Sequence, residues 1–98
     1  MLFHVTHIHS PETCPAHDPE QARATFGKII GSAEEIGVKL VGAWVDGPAH
    51  TAYFVVETDS AEKLFDLFYP ALGIASAEIS PVEDTLALFK RRFAEQKG

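Results

Sequence analysis

Ninety-eight residues, 46% hydrophobic with a formal net charge of −6, are enough for one domain spanning 1–98 and too apolar for a disordered chain. No apolar run approaches the roughly 18 residues of a membrane span, and the one basic run, Lys90-Arg91-Arg92, is too little for a nucleic-acid partner in so acidic a chain. The single cysteine, Cys14, has no partner for an internal disulfide, and Met1-Leu2-Phe3-His4-Val5 does not read as an export signal, so a reducing cytoplasm is the expected location.

In chain order, Leu2 to Ile8 is rich in apolar and β-branched residues and reads as a first strand. Ser10-Pro11-Glu12-Thr13-Cys14-Pro15 interrupts regular structure, because two prolines remove backbone donors. Asp18-Pro19-Glu20-Gln21 is a helix start, with Asp18 as cap, Pro19 at the first helical position and Gln21 completing a capping box. Ala22, Phe26, Ile29, Ile30 and Ala33 recur at helical spacing and make its apolar face, and Gly37 terminates it. Val38 to Val45 is a second strand, Asp46-Gly47-Pro48 a turn, and Thr51 to Glu57 a third strand. Asp59 and Glu62 have the spacing of a capping box for a second helix that buries Ala61, Leu64, Phe65 and Phe68 and closes at Pro70 and Gly73. Ala75 to Ile79 is a short fourth strand, with Val82 as an alternative end. Ser80-Pro81-Val82-Glu83 then leads into a C-terminal helix with Val82, Leu86, Phe89 and Phe93 along one side, whose final part carries Lys90-Arg91-Arg92 as a solvated, dipole-favoured end.

This order predicts an α+β protein of ferredoxin-like βαββαβ topology, a four-stranded antiparallel sheet plus a C-terminal helix. A short turn makes strands two and three a hairpin, and right-handed crossovers put strand one between strands three and four, with both helices on one face. The opposite face then needs cover, since strand two is apolar on both parities (Leu40, Val41, Ala43, Trp44, Val45) and strand three presents Tyr53 and Val55 there. A two-fold homodimer through this sheet face is the expected solution; the chain's own C-terminal helix is the alternative cover.

The element order, the opening Met1-Leu2-Phe3-His4-Val5 and the phrase Val41-Gly42-Ala43-Trp44 resemble the dimeric α/β-barrel superfamily over roughly residues 1–82. That group includes muconolactone isomerase-like proteins and small monooxygenases. The resemblance implies a dimer with pockets between sheet and helices. It carries no catalytic residue onto this chain.

The chemistry is concentrated near the start. Four of five histidines, His4, His7, His9 and His17, fall in the first seventeen residues, with Cys14 among them. Imidazole and thiolate are the common ligands of zinc and copper, with iron a poorer match. On a strand, His7 and His9 share a face and His4 takes the other. The loop can bring Cys14 and His17 back over the strand end, near the first helix start, where partial positive charge favours an anion. Strand three runs antiparallel to strand one, so His50 is expected near His7 and His9, with Trp44 at the same edge. The expected metal set is therefore His7, His9, Cys14, His17 and His50. The spacing matches no zinc-finger pattern, and a polar strand end and helix flank also account for these residues.

A second group, His4, Thr6, Tyr53 and Glu57 with Trp44, is expected to line a pocket for a small apolar ligand. There a histidine assisted by Glu57 can act as a base; a Glu57 at an exposed strand end and a Tyr53 at the dimer contact explain the same residues without a ligand. No paired carboxylates, no Gly-rich phosphate loop, and no nucleotide or flavin signature are present. The leading functional expectation is a cytoplasmic homodimer that binds a transition metal. The alternative is a small-molecule enzyme of isomerase or monooxygenase type that uses His4 or Cys14.

Overall fold

The computed structural model describes residues 1–97, with side chains described for 1–94. Strand β1 (Leu2–His9) leads through a loop and a 3-10 turn (Pro15–His17) into helix α1 (Pro19–Ala22). That helix runs on through a π-helical turn (Arg23–Gly27) into α2 (Lys28–Ile36). There follow β2 (Lys39–Asp46), β3 (Thr51–Glu57), α3 (Ala61–Phe68), a 3-10 turn (Tyr69–Ala71), β4 (Ala75–Val82) and α4 (Thr85–Lys97). The sheet order is β2-β3-β1-β4, and every pairing is antiparallel, as the crossover argument requires.

Local chemistry sets the element ends. The Asp18 carboxylate accepts from the Gln21 amide at 3.1 Å, and Pro19 follows at the first helical position. Gly37 sits at φ 94°, in the left-handed region where glycine alone is unstrained. Its N–H donates to the Ala33 carbonyl at 3.0 Å, closing α2. At α3 the cap is Ser60, whose hydroxyl accepts from the Lys63 amide, and not Asp59. Either residue suits a cap, and the one with extended backbone directly before the first turn takes the role. β4 continues to Val82, so Val82 belongs to the strand, and Asp84 caps α4 by accepting from the Ala87 amide.

Residues with side chains toward the helices build the core. Val5, Phe54 and Val56 from the sheet pack with Ile29 and Ala33 of α2 and with Leu64, Leu67 and Phe68 of α3. Phe65 is exposed, contrary to the expected buried face, because Leu67 takes the inward position on this short helix. Ile30 is likewise half out of the core.

The other face of the sheet carries Leu2, His4, Thr6 and Ile8 of β1, Tyr53, Val55 and Glu57 of β3, Trp44 of β2 and, from β4, Ser76, Glu78, Ser80 and Val82, so apolar and polar groups are mixed on it. A bulge at Val41 shifts β2 by one residue between Leu40 and Gly42. It explains why that strand's sequence does not alternate. The Trp44 ring lies against Gly42, where a β-carbon would collide with it. Helix α4 does not fold across this face. It extends from the body, giving extents of 57 × 29 × 17 Å and a radius of gyration of 15.8 Å, against about 13 Å for a compact chain of this length. Leu86, Phe89 and Phe93 are 83%, 54% and 57% exposed, so the apolar stripe of α4 is open to solvent.

Candidate functional site

β1 and β3 place two histidines side by side. The register that pairs Ile8 with Thr51 brings His9 beside His50, and the His9 N–H donates to the His50 carbonyl at 3.1 Å. Their rings lie edge to face with centroids 5.2 Å apart. His50 ends the Gly47–His50 turn, with its own N–H bonded to the Gly47 carbonyl at 3.0 Å. Its φ of 50° puts a non-glycine residue in the left-handed region, at a cost of about 1–2 kcal/mol.

The loop after β1 supplies the third group. Thr13 knots it: its hydroxyl donates to the Ile74 carbonyl at 2.8 Å, and its N–H donates to the Ser10 carbonyl at 3.1 Å. Pro15 is buried next in line. Cys14, clamped between them, joins the histidines. Ligand atoms of His9, Cys14 and His50 all lie within 4.8 Å of one another, and each residue is half-buried. Among the described residues this is the one set of three such donors that close together. Both His9 ring nitrogens and His50 Nδ1 are shielded from solvent and have no hydrogen-bond partner. An ion bound at 2.0–2.3 Å needs donors roughly 3.3–3.8 Å apart in tetrahedral geometry, so small side-chain rotations would close the set.

The other expected ligands sit elsewhere. His17 is exposed at the end of the Pro15–His17 turn, outside this donor set. His7 shares the face of His9 but lies one layer deeper, fully buried among Phe26, Phe54 and Phe68 at ring distances of 5.2, 6.4 and 5.8 Å. Both of its ring nitrogens lack a partner. Burial, with a smaller contribution from His9, holds its pKa below the ordinary 6.5; burial and then His50 lower that of His9. The unfolded chain therefore takes up these protons first. The associated stability is complete above pH 6.5 and is lost as pH falls below it toward the folded-state values. In metal-free protein, His7→Leu should raise stability at pH 7 by on the order of 1 kcal/mol, because an unpaired buried polar group costs roughly 1–3 kcal/mol. It should also flatten the loss between pH 7 and 5. Urea unfolding across that range reads both, and an unchanged slope would mean that His7 is not the titrating group.

Phe26 is the residue that pattern reading placed only in the core. The π-helical turn carries its ring to 5.2 Å from His7 and 5.9 Å from His9. The Thr25 hydroxyl, donating to the Gln21 carbonyl at 2.7 Å, satisfies the widened backbone. Only tertiary packing reveals this role.

The three donors form one end of a cavity of about 400 Å³ between sheet and helix. Its walls include Ala22, Phe26, Ile30, Val45, Ala52 and Phe54, and Trp44 borders it. No lining residue is charged. His4, Thr6, Tyr53 and Glu57 do not line this cavity. They share the opposite sheet face, where Thr6 is opposite Tyr53, the His4 and Tyr53 rings are 6.1 Å apart, and Glu57 is exposed beside Leu2. Among the described residues no hydrogen bond joins His4 to Glu57, so the pair is not assembled as a base and its orienter. Among them, too, no helix is long and apolar enough to cross a membrane.

Comparison with known proteins agrees with this fold. The crystal structure of SCO4226 from Streptomyces coelicolor A3(2) superposes with a TM-score of 0.56 at 21% identity, covering 84% of this chain and 96% of that one. At that identity the likeness concerns the fold alone. No curated protein matches the chain, and the likeness to muconolactone isomerase-like proteins finds no support in the family or the structure matched. A family described as a domain of unknown function, DUF3303, matches residues 1–94, and the chain belongs to that family.

Proposed function

We propose that this protein binds one transition-metal ion per chain through His9, Cys14 and His50. The observation that carries the reading is the set of unpartnered, solvent-shielded ring nitrogens on two histidines, gathered with the only thiol inside 4.8 Å. Buried polar atoms are ordinarily satisfied, and a metal would take one ring nitrogen from each of these histidines. One thiolate and two imidazoles suit zinc or copper best, and iron less well. Three protein ligands leave a fourth position open, the arrangement of sites that exchange a ligand.

The strained His50 separates metal binding from folding. His50→Gly removes a ligand and relieves the left-handed backbone. Unfolding stability without metal should hold or rise by up to about 1 kcal/mol, while zinc retained by tag-free protein should fall from near one per chain to a small fraction, by elemental analysis after dialysis. Equal retention in both proteins would remove His50 from the site. Wild-type protein that holds no zinc at micromolar free metal would remove the proposal itself.

The working form we propose is a cytoplasmic homodimer. The exposed Ile8 and Trp44 on the open sheet face and the bare stripe of α4 support it, since apolar surfaces of this kind are ordinarily covered. The enzyme alternative through His4 has the weaker support, as His4 is on the face away from the cavity.

A further inference from the structure

We infer that the cavity beside the proposed metal takes an apolar small molecule carrying a single nitrogen or sulfur donor, which fills the ion's fourth position. This rests on the metal reading above and goes beyond it by naming the ligand class. Three observations define that class. His9, Cys14 and His50 all line the cavity, so an ion held among them borders it directly. The remaining walls are mostly alkyl and aromatic, with Phe26, Ile30, Val45, Ala52 and Phe54 among them. No Lys, Arg, Asp or Glu side chain lines it.

The volume, about 400 Å³, lies in the range of pockets that enclose one small ligand. A phosphate or sulfonate would enter with no cation beyond the metal to balance it. A carboxylate would leave its second oxygen without a donor, and burying an unpaired charged oxygen is costly. An azole leaves at most one neutral N–H unpaired, which costs far less to bury than a charged oxygen; a thiol meets the ion through its one sulfur; and nitrogen and sulfur match the borderline character of a two-histidine, one-cysteine site. The body attached to that donor gains by leaving water, about 25 cal/mol for each Å² buried.

The test uses the full-length chain loaded with cobalt(II), whose visible spectrum reports the fourth ligand, and the probes imidazole and 4-phenylimidazole. They share a donor and differ in the apolar ring. The expected result is that 4-phenylimidazole binds at least about tenfold more tightly than imidazole. Ile30→Trp, which fills the cavity from a half-exposed helix position without touching a ligand, should abolish that preference and keep the cobalt spectrum. Metal-free protein should bind 4-phenylimidazole at least about tenfold more weakly than the loaded form. Cobalt bound one per chain with equal affinity for the two probes would overturn this inference and leave the metal site standing. Failure to bind cobalt would overturn both.

Discussion

Cys14→Ala should lower zinc affinity by about 100-fold or more, at least what the loss of an outer-shell partner costs a metal site. The thiol is the only one in the chain, and the only group of the set that can bring a negative charge to the ion. Without it, two imidazoles remain, tied to one another through the His9 to His50 backbone hydrogen bond but unable to enclose a cation. The fold should survive, because Thr13 and the buried Pro15, not the Cys14 side chain, pin the loop. His17→Ala is the matched control, since His17 lies outside the donor set and its loss should leave affinity within twofold of the wild type, as an order of magnitude for a non-ligand. Competition with a chromophoric chelator measures both. A Cys14→Ala protein with wild-type affinity would place the ion elsewhere.

The second large effect concerns assembly. Phe89→Asp combined with Phe93→Asp should convert the protein from dimer to monomer at micromolar concentration, as seen by sedimentation equilibrium. The two rings stack on each other at 6.0 Å and face solvent at 54% and 57% exposure. A helix with a bare aromatic stripe, extended from a body whose open sheet face exposes Trp44 and Ile8, has surface to bury and no intrachain partner for it among the described residues. Four strands of seven or eight residues cover roughly 500 Å² on one side. With the α4 stripe added, each partner approaches the ~800 Å² of an ordinary stable interface. Since α4 leaves the core untouched, circular dichroism of the double variant should keep the sheet and the two helices, α2 and α3, that pack on the core. A wild-type chain that sediments as a monomer at high concentration would end the dimer proposal.

Much of this fold was legible because its signals are local. Asp18-Pro19 marks a helix start through a hydrogen bond made within three residues, and Gly37 marks its end through a backbone angle that few residues tolerate. The strand order followed from hairpin length and crossover handedness, which need no side-chain detail. The meeting of His50 with His9 was foreseeable for the same reason, since antiparallel pairing puts the start of one strand against the end of its neighbour. What pattern could not supply was depth. His7 and His9 share a face and both meet Phe26, yet Phe54 and Phe68 seal only His7 while His9 opens on a cavity, a difference that tertiary packing alone sets. Nothing in Arg23-Ala24-Thr25-Phe26-Gly27 announces the π-helical turn. The bulge at Val41 was equally hidden, so the unbroken apolar run of β2 read as two buried faces. Ser60 displaced Asp59 as cap because two neighbouring residues were both good caps, and only the register of the first helical turn chooses between them.

The most direct measurement of the central claim is the absorption spectrum of tag-free wild-type protein titrated with cobalt(II). Metal held by His9, Cys14 and His50 should give a thiolate-to-cobalt charge-transfer band in the near ultraviolet, together with intense visible bands of a four-coordinate ion, saturating at one equivalent per chain. A spectrum no different from cobalt in buffer, or one without the thiolate band, would contradict it.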